Sequence, residues 1–377
     1  MLQIERIILR EIALPLKEPF QISSGTTTDR RILLVELLSA DGVEGWGECV
    51  AGEGPHYSPE TVDTAWLALT RWIAPRVLGR PFGGPEEVQP ALDVDFRGHN
   101  MAKAALEMAA WELTARSRGI SLAALLGGVG GARREIPVGI SVGIQESPAK
   151  LVEKARSCLA QGYRKIKMKI KPGKDVAFVR AVREALGPEA PLMADANNAY
   201  TLSDIASLRA LDELGLMMIE QPLAWDDLRR HAELQKELRT PICLDESITG
   251  VERAEDAIAL HSGRIVNIKP GRVGGFRQSL AIHDLCAAHG IPVWCGGMLE
   301  SGVGRAHNVA LASLPNFTLP GDLSPSSRYW ERDVVDPEWT MDASGMVAVP
   351  IDRPGMGVEV DRERVEGLTV RKEILTP

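Results

Sequence analysis

A repeating pattern of apolar runs constrains the fold of this chain most. From residue 136 onward a short apolar run, a turn and an amphipathic helix recur about every 25 residues. The eight runs lie at 137–142, 164–170, 191–194, 216–219, 241–244, 264–268, 291–294 and 317–319. Near-continuous apolar strands that alternate with helices indicate a parallel sheet with covered faces, and eight such units predict an α/β fold of the (β/α)8-barrel type. A doubly wound open sheet is the alternative, but no Gly-x-Gly-x-x-Gly motif follows the first run.

The residues before this repeat have a different pattern. Residues 1 to about 60 alternate short β-rich segments with turns, and a helical pattern follows from 61 to 119. We therefore predict an α+β domain over residues 1–130. The glycine-rich stretch 127–131 lacks the strand and the Lys-Ser/Thr pair of a phosphate loop, which favours an interdomain linker. Residues 131–322 are predicted to form the barrel, and residues 323–377 to pack back onto the N-terminal domain.

Composition and charge exclude several classes of protein. The chain has 377 residues, of which 45% are hydrophobic and 25% charged, as in ordinary globular proteins. Its net charge of −8 has the wrong sign for binding nucleic acid or an anionic membrane, so we expect a small-molecule substrate. No signal peptide or spanning segment is recognisable, which predicts a cytoplasmic protein. The cysteines and histidines show none of the usual metal-binding spacings, so carboxylates must bind any metal ion.

Four of the apolar runs end in an ionisable residue. Asp195, Glu220, Asp245 and Lys269 follow one another at gaps of 25, 25 and 24 residues. In a parallel barrel the carboxyl ends of the strands meet at one rim, where the active sites of this architecture lie. Three carboxylates so close together require a cation to offset their repulsion, and oxygen-only ligation favours Mg²⁺ or Mn²⁺. A single strand-end Asp is more often a helix N-cap, but Glu220 is a poor cap and precedes Gln-Pro.

Lysines alternate with apolar residues in the second run. Lys165, Lys167, Lys169 and Lys171 share one face of the predicted strand, and the apolar residues between them share the other. The apolar face is expected to contact the helices, which directs lysines into the barrel, although exposed rim positions are favoured for Lys165 and Lys171. Lys169 lies on the second strand and Lys269 on the sixth, and these strands are opposite each other in an eight-stranded ring. Two amines that flank one substrate carbon suit proton abstraction α to a carboxylate.

These residues, together with further motifs, resemble the enolase superfamily over nearly the whole chain. The motifs are Gly45-Trp-Gly-Glu48, the helix around Trp111 with Leu-Gly-Gly at 126–128, Lys167-Met-Lys169, Asp195-Ala-Asn197, Glu220-Gln-Pro222, Asp245-Glu-Ser247 and Lys269-Pro-Gly-Arg272. The resemblance implies a modified TIM barrel with an α+β capping domain. It also implies a magnesium site made of Asp195, Glu220 and Asp245. Lys169 and Lys269 would be the opposed acid/base pair, assisted by Lys167.

The strand ends also indicate a subgroup. A lysine after the sixth strand resembles the muconate-lactonizing-like subgroup, whereas the mandelate-racemase-like subgroup uses a histidine from the seventh. Dipeptide epimerases carry Asp-x-Asp after the eighth strand, but Ser324 stands at the second position here. Segments 269–272 and 296–305 resemble N-acylamino acid racemases, in particular N-succinylamino acid racemases that also act as o-succinylbenzoate synthases in menaquinone biosynthesis. Dipeptide epimerisation, muconate cycloisomerisation and a noncatalytic binding role remain as alternatives.

The same resemblance assigns the residues around the substrate. Loop 19–25 resembles a flexible lid, and loop 54–58 is a second loop near it. Six residues are implied to contact the carboxylate, acyl group or side chain of the substrate: Phe20, Tyr57, Ser141, Asn197, Arg272 and Met298. For Tyr57 and Met298, ordinary packing is an equally favoured interpretation. Arg272 is associated with the racemising members, and the resemblance also favours a homo-oligomer.

Overall fold

The computed structural model describes residues 1–22, 25–128 and 131–377. Its N-terminal part is an antiparallel sheet in which β2 lies between β1 and β3, and β4 pairs with β1. The strands are β1 (Leu2–Ile22), β2 (Gly25–Ser39), β3 (Glu44–Cys49) and β4 (Pro81–Phe82). The helices are α1 (Val62–Ala68), α2 (Val88–Asp93), α3 (Asn100–Ser117) and α4 (Leu122–Gly127). This arrangement is the α+β capping domain expected from the sequence.

Two glycines of β3 let α3 lie directly on the sheet. A Cβ at Gly47 would stand 2.0 Å from Ala105 O, and one at Gly45 would stand 2.5 Å from Ala109 O. Ala105 and Ala109 lie one helical turn apart on α3, and both are fully buried in the core of the capping domain. Trp111 of the same helix packs into the core of the barrel. The helix therefore joins the two cores, which fixes the capping domain against the strands below it.

Among the described residues, seven parallel strands in sequential order form the barrel sheet. After β5 (Glu135–Pro137) they are β6 (Ile140–Val142), β7 (Ile166–Lys169), β8 (Leu192–Asp195), β9 (Ile219–Glu220), β10 (Ile242–Leu244), β11 (Ile265–Ile268) and β12 (Val293–Cys295). Residues 317–319, predicted as the eighth strand, form no strand, and Pro320 has no N–H with which to extend a ladder. A parallel bridge between Val138 and Gly321 closes the ring instead, and Gly139 N donates to Gly321 O at 2.6 Å.

Helices follow the strands, as the repeat predicted. They are α5 (Pro148–Ala160), α6 (Val176–Leu186), α7 (Ile205–Asp212), α8 (Leu228–Glu237), α9 (Val251–Leu260), α10 (Pro270–Val273), α11 (Phe276–Ala288) and α12 (Gly302–Ala312). Ser147 and Asp227 cap α5 and α8 by accepting backbone N–H groups of the first turn. A π-helical turn lies at Leu69–Ile73, and 3-10 turns lie at Ala74–Arg76, Pro85–Glu87, Leu202–Asp204 and Ser326–Arg328. Within the described ranges, none of the helices has the length and apolar character needed to cross a bilayer.

The C-terminal segment returns to both parts of the molecule. It contains β13 (Val335–Asp336), β14 (Met346–Ala348), β15 (Glu359–Val360), α13 (Arg362–Leu368) and β16 (Thr369–Leu375). β14 pairs with β5, and β16 pairs antiparallel with β1 so that Leu375 lies opposite Ile7. The domain boundaries after residues 130 and 322 remain a proposal, and residues 129 and 130 of the predicted linker lie outside the described residues.

Candidate active site

The charged strand ends converge at the carboxyl end of the barrel sheet. Asp195 and Glu220 are the last residues of β8 and β9, and they are paired in register. Asp245 follows β10 directly, and Lys269 follows β11. The three carboxylates are fully buried, and Lys269 is 4% exposed. The short strands therefore place all four side chains at one level inside the barrel.

Lys169 lies at the end of β7, beside Asp195 on β8. Its Nζ donates to Asp195 Oδ2 at 2.5 Å and to Asn197 Oδ1 at 2.8 Å. Burial raises the pKa of Asp195, but the positive charges of Lys169 and Lys167 outweigh burial and lower it. Asn197 has a φ of 41°, in the left-handed region that asparagine tolerates better than most residues. The turn after β8 thus brings its amide back to the lysine.

Lys167 contacts two of the predicted metal ligands and one further carboxylate. Its Nζ lies 2.5 Å from Asp322 Oδ2, 3.2 Å from Glu220 Oε2 and 3.3 Å from Asp195 Oδ2. Burial lowers the pKa of Lys167, but Asp322 and the other carboxylates raise it well above its ordinary value. In the sequence, Asp322 stood out only as the first residue of an incomplete Asp-x-Asp. Its position after the predicted eighth strand was the signal that could have assigned it to the site.

The predicted exposure of Lys165 at the rim is wrong. Lys165 is fully buried, with its Nζ 3.3 Å from the centroid of the Trp294 ring and 3.3 Å from Asp322 Oδ1. Burial lowers the pKa of Lys165, while Asp322 opposes that effect. The indole face and the carboxylate offset the cost of burying the ammonium, which makes the interior position tolerable. Lys171, by contrast, is half-buried.

Lys269 is held by Asp245 and Tyr57. Its Nζ donates to Asp245 Oδ2 at 2.7 Å and to Tyr57 Oη at 3.1 Å, and it lies 4.5 Å from the centroid of the tyrosine ring. Tyr57 Oη in turn donates to Asp245 Oδ1 at 2.8 Å. Burial lowers the pKa of Lys269, but Asp245 raises it above its ordinary value. Tyr57 therefore contacts the predicted catalytic machinery directly as well as packing in the capping domain.

Arg272 is directed at Asp245 and at the protein backbone. Its Nη1 donates to Asp245 Oδ1 and, at 3.2 Å, to Tyr57 Oη. Nη2 donates to Asn267 O at 2.5 Å, and Nε donates to Ile248 O at 2.7 Å. Every guanidinium nitrogen thus has a protein partner. The arginine therefore orients Asp245 and Tyr57.

Two polar residues that the sequence reasoning missed organise the turns after the predicted ligands. Gln221 Oε1 accepts hydrogen bonds from Asp245 N at 2.9 Å and from Ser247 N at 3.3 Å. Glu246 Oε1 accepts one from Asn197 Nδ2 at 3.1 Å. Burial raises the pKa of Glu246 to about 7. Each of the two residues directly follows a predicted metal ligand in the sequence. This position was the feature from which their place in the site could have been predicted.

A cavity of about 380 Å³ lies between the capping domain and the strand ends. The predicted residues that line it are Phe20, Tyr57, Lys169, Asn197, Lys269 and Met298. Ser141 and Arg272 are not among its lining residues. Ser141 lies on β6 beside Lys167, and its buried hydroxyl has no hydrogen-bond partner among the described residues. The cavity thus brings both catalytic candidates together with four of the six predicted substrate contacts.

The described residues of the predicted lid over residues 19–25 belong to the paired strands β1 and β2. Phe20 pairs with Thr27, and Gln21 pairs with Thr26. Gln21 O accepts a hydrogen bond from Ile144 N, just after β6, at 3.1 Å. β1 therefore contacts the barrel through its backbone, while residues 23 and 24 lie outside the described residues.

Asp195, Glu220 and Asp245 offer the oxygen ligands that a hard divalent cation prefers. Glu220 Oε2 is buried and accepts no hydrogen bond from the residues that the structure describes, and burial together with Asp195 raises the pKa of Glu220 well above its ordinary value. In the part of the chain that the structure describes, no three His, Cys, Asp or Glu side chains stand at metal-holding spacing. Lys167 lies between Asp195 and Glu220 instead. The carboxylate oxygens of these three residues suit a divalent cation. A bound cation would replace the contacts that Lys167 makes with Asp195 and Glu220.

Comparisons with known proteins identify the family. Residues 150–365 match the family described as Enolase C-terminal domain-like, and residues 4–127 match the N-terminal domain of mandelate racemase / muconate lactonizing enzyme. An o-succinylbenzoate synthase from Geobacillus stearothermophilus is 53% identical over 98% of this chain and 96% of its own length. An N-succinylamino acid racemase from Thermus thermophilus is 51% identical over 98% of each chain. A solved structure of an enolase superfamily member from Listeria innocua is 40% identical over 100% of each chain, with a TM-score of 0.95. The chain therefore belongs to the enolase superfamily, as its strand-end residues predicted.

Proposed function

We propose that this enzyme uses a divalent metal ion and removes the proton α to a substrate carboxylate to form an enolate. Its substrates would be N-acyl amino acids, above all N-succinyl amino acids, which it racemises, and the precursor that it dehydrates to o-succinylbenzoate. One observation carries the proposal: Lys169 and Lys269 line the same cavity from the second and the sixth strand of the barrel sheet. Relatives named for the two activities are 53% and 51% identical to this chain.

Racemisation requires one lysine on each face of the substrate carbon. In its neutral form one of Lys169 and Lys269 takes the Cα proton, and the C–H electron pair passes into the carboxylate as an enolate. The other lysine, in its ammonium form, then returns a proton to the opposite face of the same carbon. Lys167, whose pKa is raised, stays protonated and stabilises the negative charge.

Dehydration uses the same first step. A lysine takes the proton α to the carboxylate, and the resulting enolate expels the hydroxyl group from the neighbouring carbon as the double bond forms. Lys169 can return its proton to the departing oxygen, so that water leaves from the face on which the proton was removed. Both reactions therefore need a carboxylate, an acidic α-proton and at least one of the opposed lysines.

Enzymes of the enolase superfamily use a divalent metal ion. For this chain we propose Mg²⁺, or Mn²⁺ in its place, held by Asp195, Glu220 and Asp245, because oxygen ligands suit these hard cations. When bound, the cation supplies positive charge that stabilises the enolate form of the carboxylate. Asn267 Nδ2 donates to Glu220 Oε1 at 2.7 Å, and Arg272 holds Asp245, so two of the ligands are oriented by neighbours.

Dipeptide epimerisation and muconate cycloisomerisation are less well supported. A dipeptide carries a free ammonium group, which needs an available carboxylate. Asp322 is engaged by Lys165 and Lys167, and Ser324 stands where a second aspartate would be required. A noncatalytic binding role leaves the buried lysines and carboxylates without a purpose, because burying them is costly.

Isotope exchange tests the two-lysine scheme. With an N-succinyl amino acid in deuterated buffer, we expect Lys169→Ala to retain Cα exchange for one enantiomer and Lys269→Ala to retain it for the other. Turnover of the o-succinylbenzoate precursor by the unmodified enzyme is measured alongside, because it compares the two activities directly. Full exchange of both enantiomers by both variants would end the proposal.

Chelation separates an enzyme from a binder. Treatment with excess EDTA should abolish racemisation and dehydration, and added Mg²⁺ or Mn²⁺ should restore them. Turnover that persists after the metal has been removed would contradict the metal dependence.

We also propose that the enzyme acts in the cytoplasm and as a homo-oligomer. All five cysteines are unpaired and buried, which supports a reducing compartment. Sedimentation of the purified protein measures its oligomeric state.

A further inference from the structure

Arg30 on β2 is a buried cation whose hydrogen-bonding capacity is largely unused. It is 5% exposed, and it lines the same cavity as Lys169 and Lys269. Its Nη1 and Nη2 reach the carbonyl oxygens of Ala51 and Val50 only at 3.4 Å. Its Nε has no hydrogen-bond partner among the described residues. A guanidinium offers five N–H donors in a planar fork, so this group has donors available for a ligand.

Nearby carboxylates do not satisfy Arg30. Burial lowers the pKa of Arg30, and Glu48 and Glu300 oppose this effect through their charges. Glu48 accepts hydrogen bonds from Ser301 and from the start of α12, and Glu300 pairs with Arg305 at 3.1 Å. These carboxylates supply countercharge, which makes the buried arginine tolerable, but both have partners of their own. Arg30 thus lines the cavity with no carboxylate of the described residues hydrogen-bonded to it.

The proposed substrates explain why a second cation is useful. An N-succinyl amino acid has two carboxylates at opposite ends, and the lysines at the strand ends serve only the one beside the α-carbon. The other end of the cavity is lined by the capping domain, where Glu60 is already bonded to Met101 N and Ala102 N at the start of α3. Asp29 and Glu53 also line it but are exposed. Arg30 is a buried cation in the part of the cavity wall that the capping domain supplies.

We propose that Arg30 binds the distal carboxylate of the substrate's acyl arm and so selects dicarboxylates over N-acyl substrates without that charge. This inference rests on the proposed function, because it concerns the acyl end of the same cavity. A planar guanidinium can bind a carboxylate through two parallel hydrogen bonds, which gives direction as well as affinity.

The test compares N-succinyl-phenylalanine with N-acetyl-phenylalanine as racemisation substrates of the full-length enzyme. Arg30→Met should lower kcat/KM for the succinyl substrate by about 30-fold, the usual scale for a hydrogen-bonded charge pair, and leave the acetyl substrate within about threefold. The kcat/KM of Arg30→Lys for the succinyl substrate should lie between that of Arg30→Met and that of the unmodified enzyme. Arg31→Met is the matched control, because Arg31 pairs with Glu11 and Asp63 outside the cavity.

Equal losses for both substrates in Arg30→Met would overturn the inference in favour of a purely structural role. If Arg30→Met does not fold, the unmodified enzyme still decides the question with the distal methyl ester of the succinyl substrate. The ester should be used about 30-fold less efficiently than the acid, and equal use would refute the role of Arg30. Failure of the unmodified enzyme to racemise either N-acyl substrate would instead refute the proposed function.

Discussion

Asp322 Oδ2 lies 2.5 Å from Lys167 Nζ, and its other oxygen lies 3.3 Å from Lys165 Nζ. One carboxylate thus links a lysine that contacts the predicted metal ligands to a lysine held against the Trp294 ring. Asp322 directly follows Gly321, which bridges to Val138 to close the ring, so ring closure and the placement of Lys167 depend on adjacent residues.

Asp322→Asn should lower kcat for racemisation by at least about tenfold with little change in KM, because Lys167 loses its closest anionic partner. Lys165 would then lose its carboxylate partner, while Lys167 keeps Glu220 and Asp195, so the free energy of unfolding should fall by about 3 kcal/mol. Steady-state kinetics and urea denaturation measure the two effects. Asp352→Asn makes the same chemical change in an exposed pair with Arg134 and should alter neither quantity. An unchanged kcat in Asp322→Asn would show that Lys167 does not need this partner.

Tyr57→Phe removes one hydroxyl between Lys269 and Asp245 and keeps the ring above the lysine. A hydrogen bond to a charged group contributes more free energy than one between neutral groups. The kcat/KM should therefore fall by about tenfold, while the melting temperature changes little. Tyr200→Phe is the control, because Tyr200 Oη donates to Asp175 at 3.0 Å and does not line the cavity. Equal kcat/KM for the two variants would argue against a role of the Tyr57 hydroxyl in orienting Lys269.

Glu107→Gln should make stability less dependent on pH. Burial raises the pKa of Glu107 from its ordinary value of 4.5 to about 7, although it accepts hydrogen bonds from Phe276 N and Arg277 N at the start of α11. A carboxyl group whose pKa is higher in the folded chain binds a proton on folding, so its contribution to stability is greatest below 4.5 and declines as the pH rises toward 7. The variant lacks this decline.

The measurement is urea denaturation of both proteins between pH 5 and pH 8. The unmodified protein should lose about 2.5 kcal/mol relative to Glu107→Gln across this window. The amide of Glu107→Gln accepts the two backbone hydrogen bonds less well, which lowers the stability of the variant at every pH. This constant loss does not change how its free energy of unfolding depends on pH. Parallel pH profiles would contradict the raised pKa of Glu107.

Gly47→Ala should destabilise the protein severely, because the added Cβ would lie 2.0 Å from Ala105 O in the backbone of α3. We expect a loss of about 3 kcal/mol or more in the free energy of unfolding. Gly367→Ala is the matched control: a Cβ there meets nothing within 4 Å, and helix propensity should make it stabilising by about 0.5 kcal/mol. Thermal denaturation shows whether each variant is less or more stable than the unmodified protein. A Gly47→Ala protein with unchanged stability would contradict the close packing of α3 on β3.

The order of the barrel strands and their ionisable ends could be predicted from sequence because each strand is a local signal. The run at 264–268 is observed as β11 (Ile265–Ile268), followed by Lys269 as predicted. The alternation of β7 correctly placed lysines inside the barrel, since period 2 determines which residues share a face. Such a pattern shows which residues share one face of a strand, but it does not show which residues elsewhere in the chain pack against that face.

What the sequence could not reveal depends on contacts between distant segments. Lys165 is buried because Trp294 and Asp322, far along the chain, surround its ammonium group. The predicted eighth strand is not observed, because an apolar run does not by itself form a strand where Pro320 removes a backbone N–H donor. The unsatisfied guanidinium of Arg30 likewise appears only when its surroundings are known, since in sequence it is one of two adjacent arginines.

The pairing of β16 with β1 has a consequence for biosynthesis. β16 lies far behind β1 in the chain, so the edge of β1 that it covers stays unpaired until β16 has been synthesised. Truncation of the final ten residues would leave that edge permanently open to other chains. β16 thus covers a strand edge to which another chain could otherwise add.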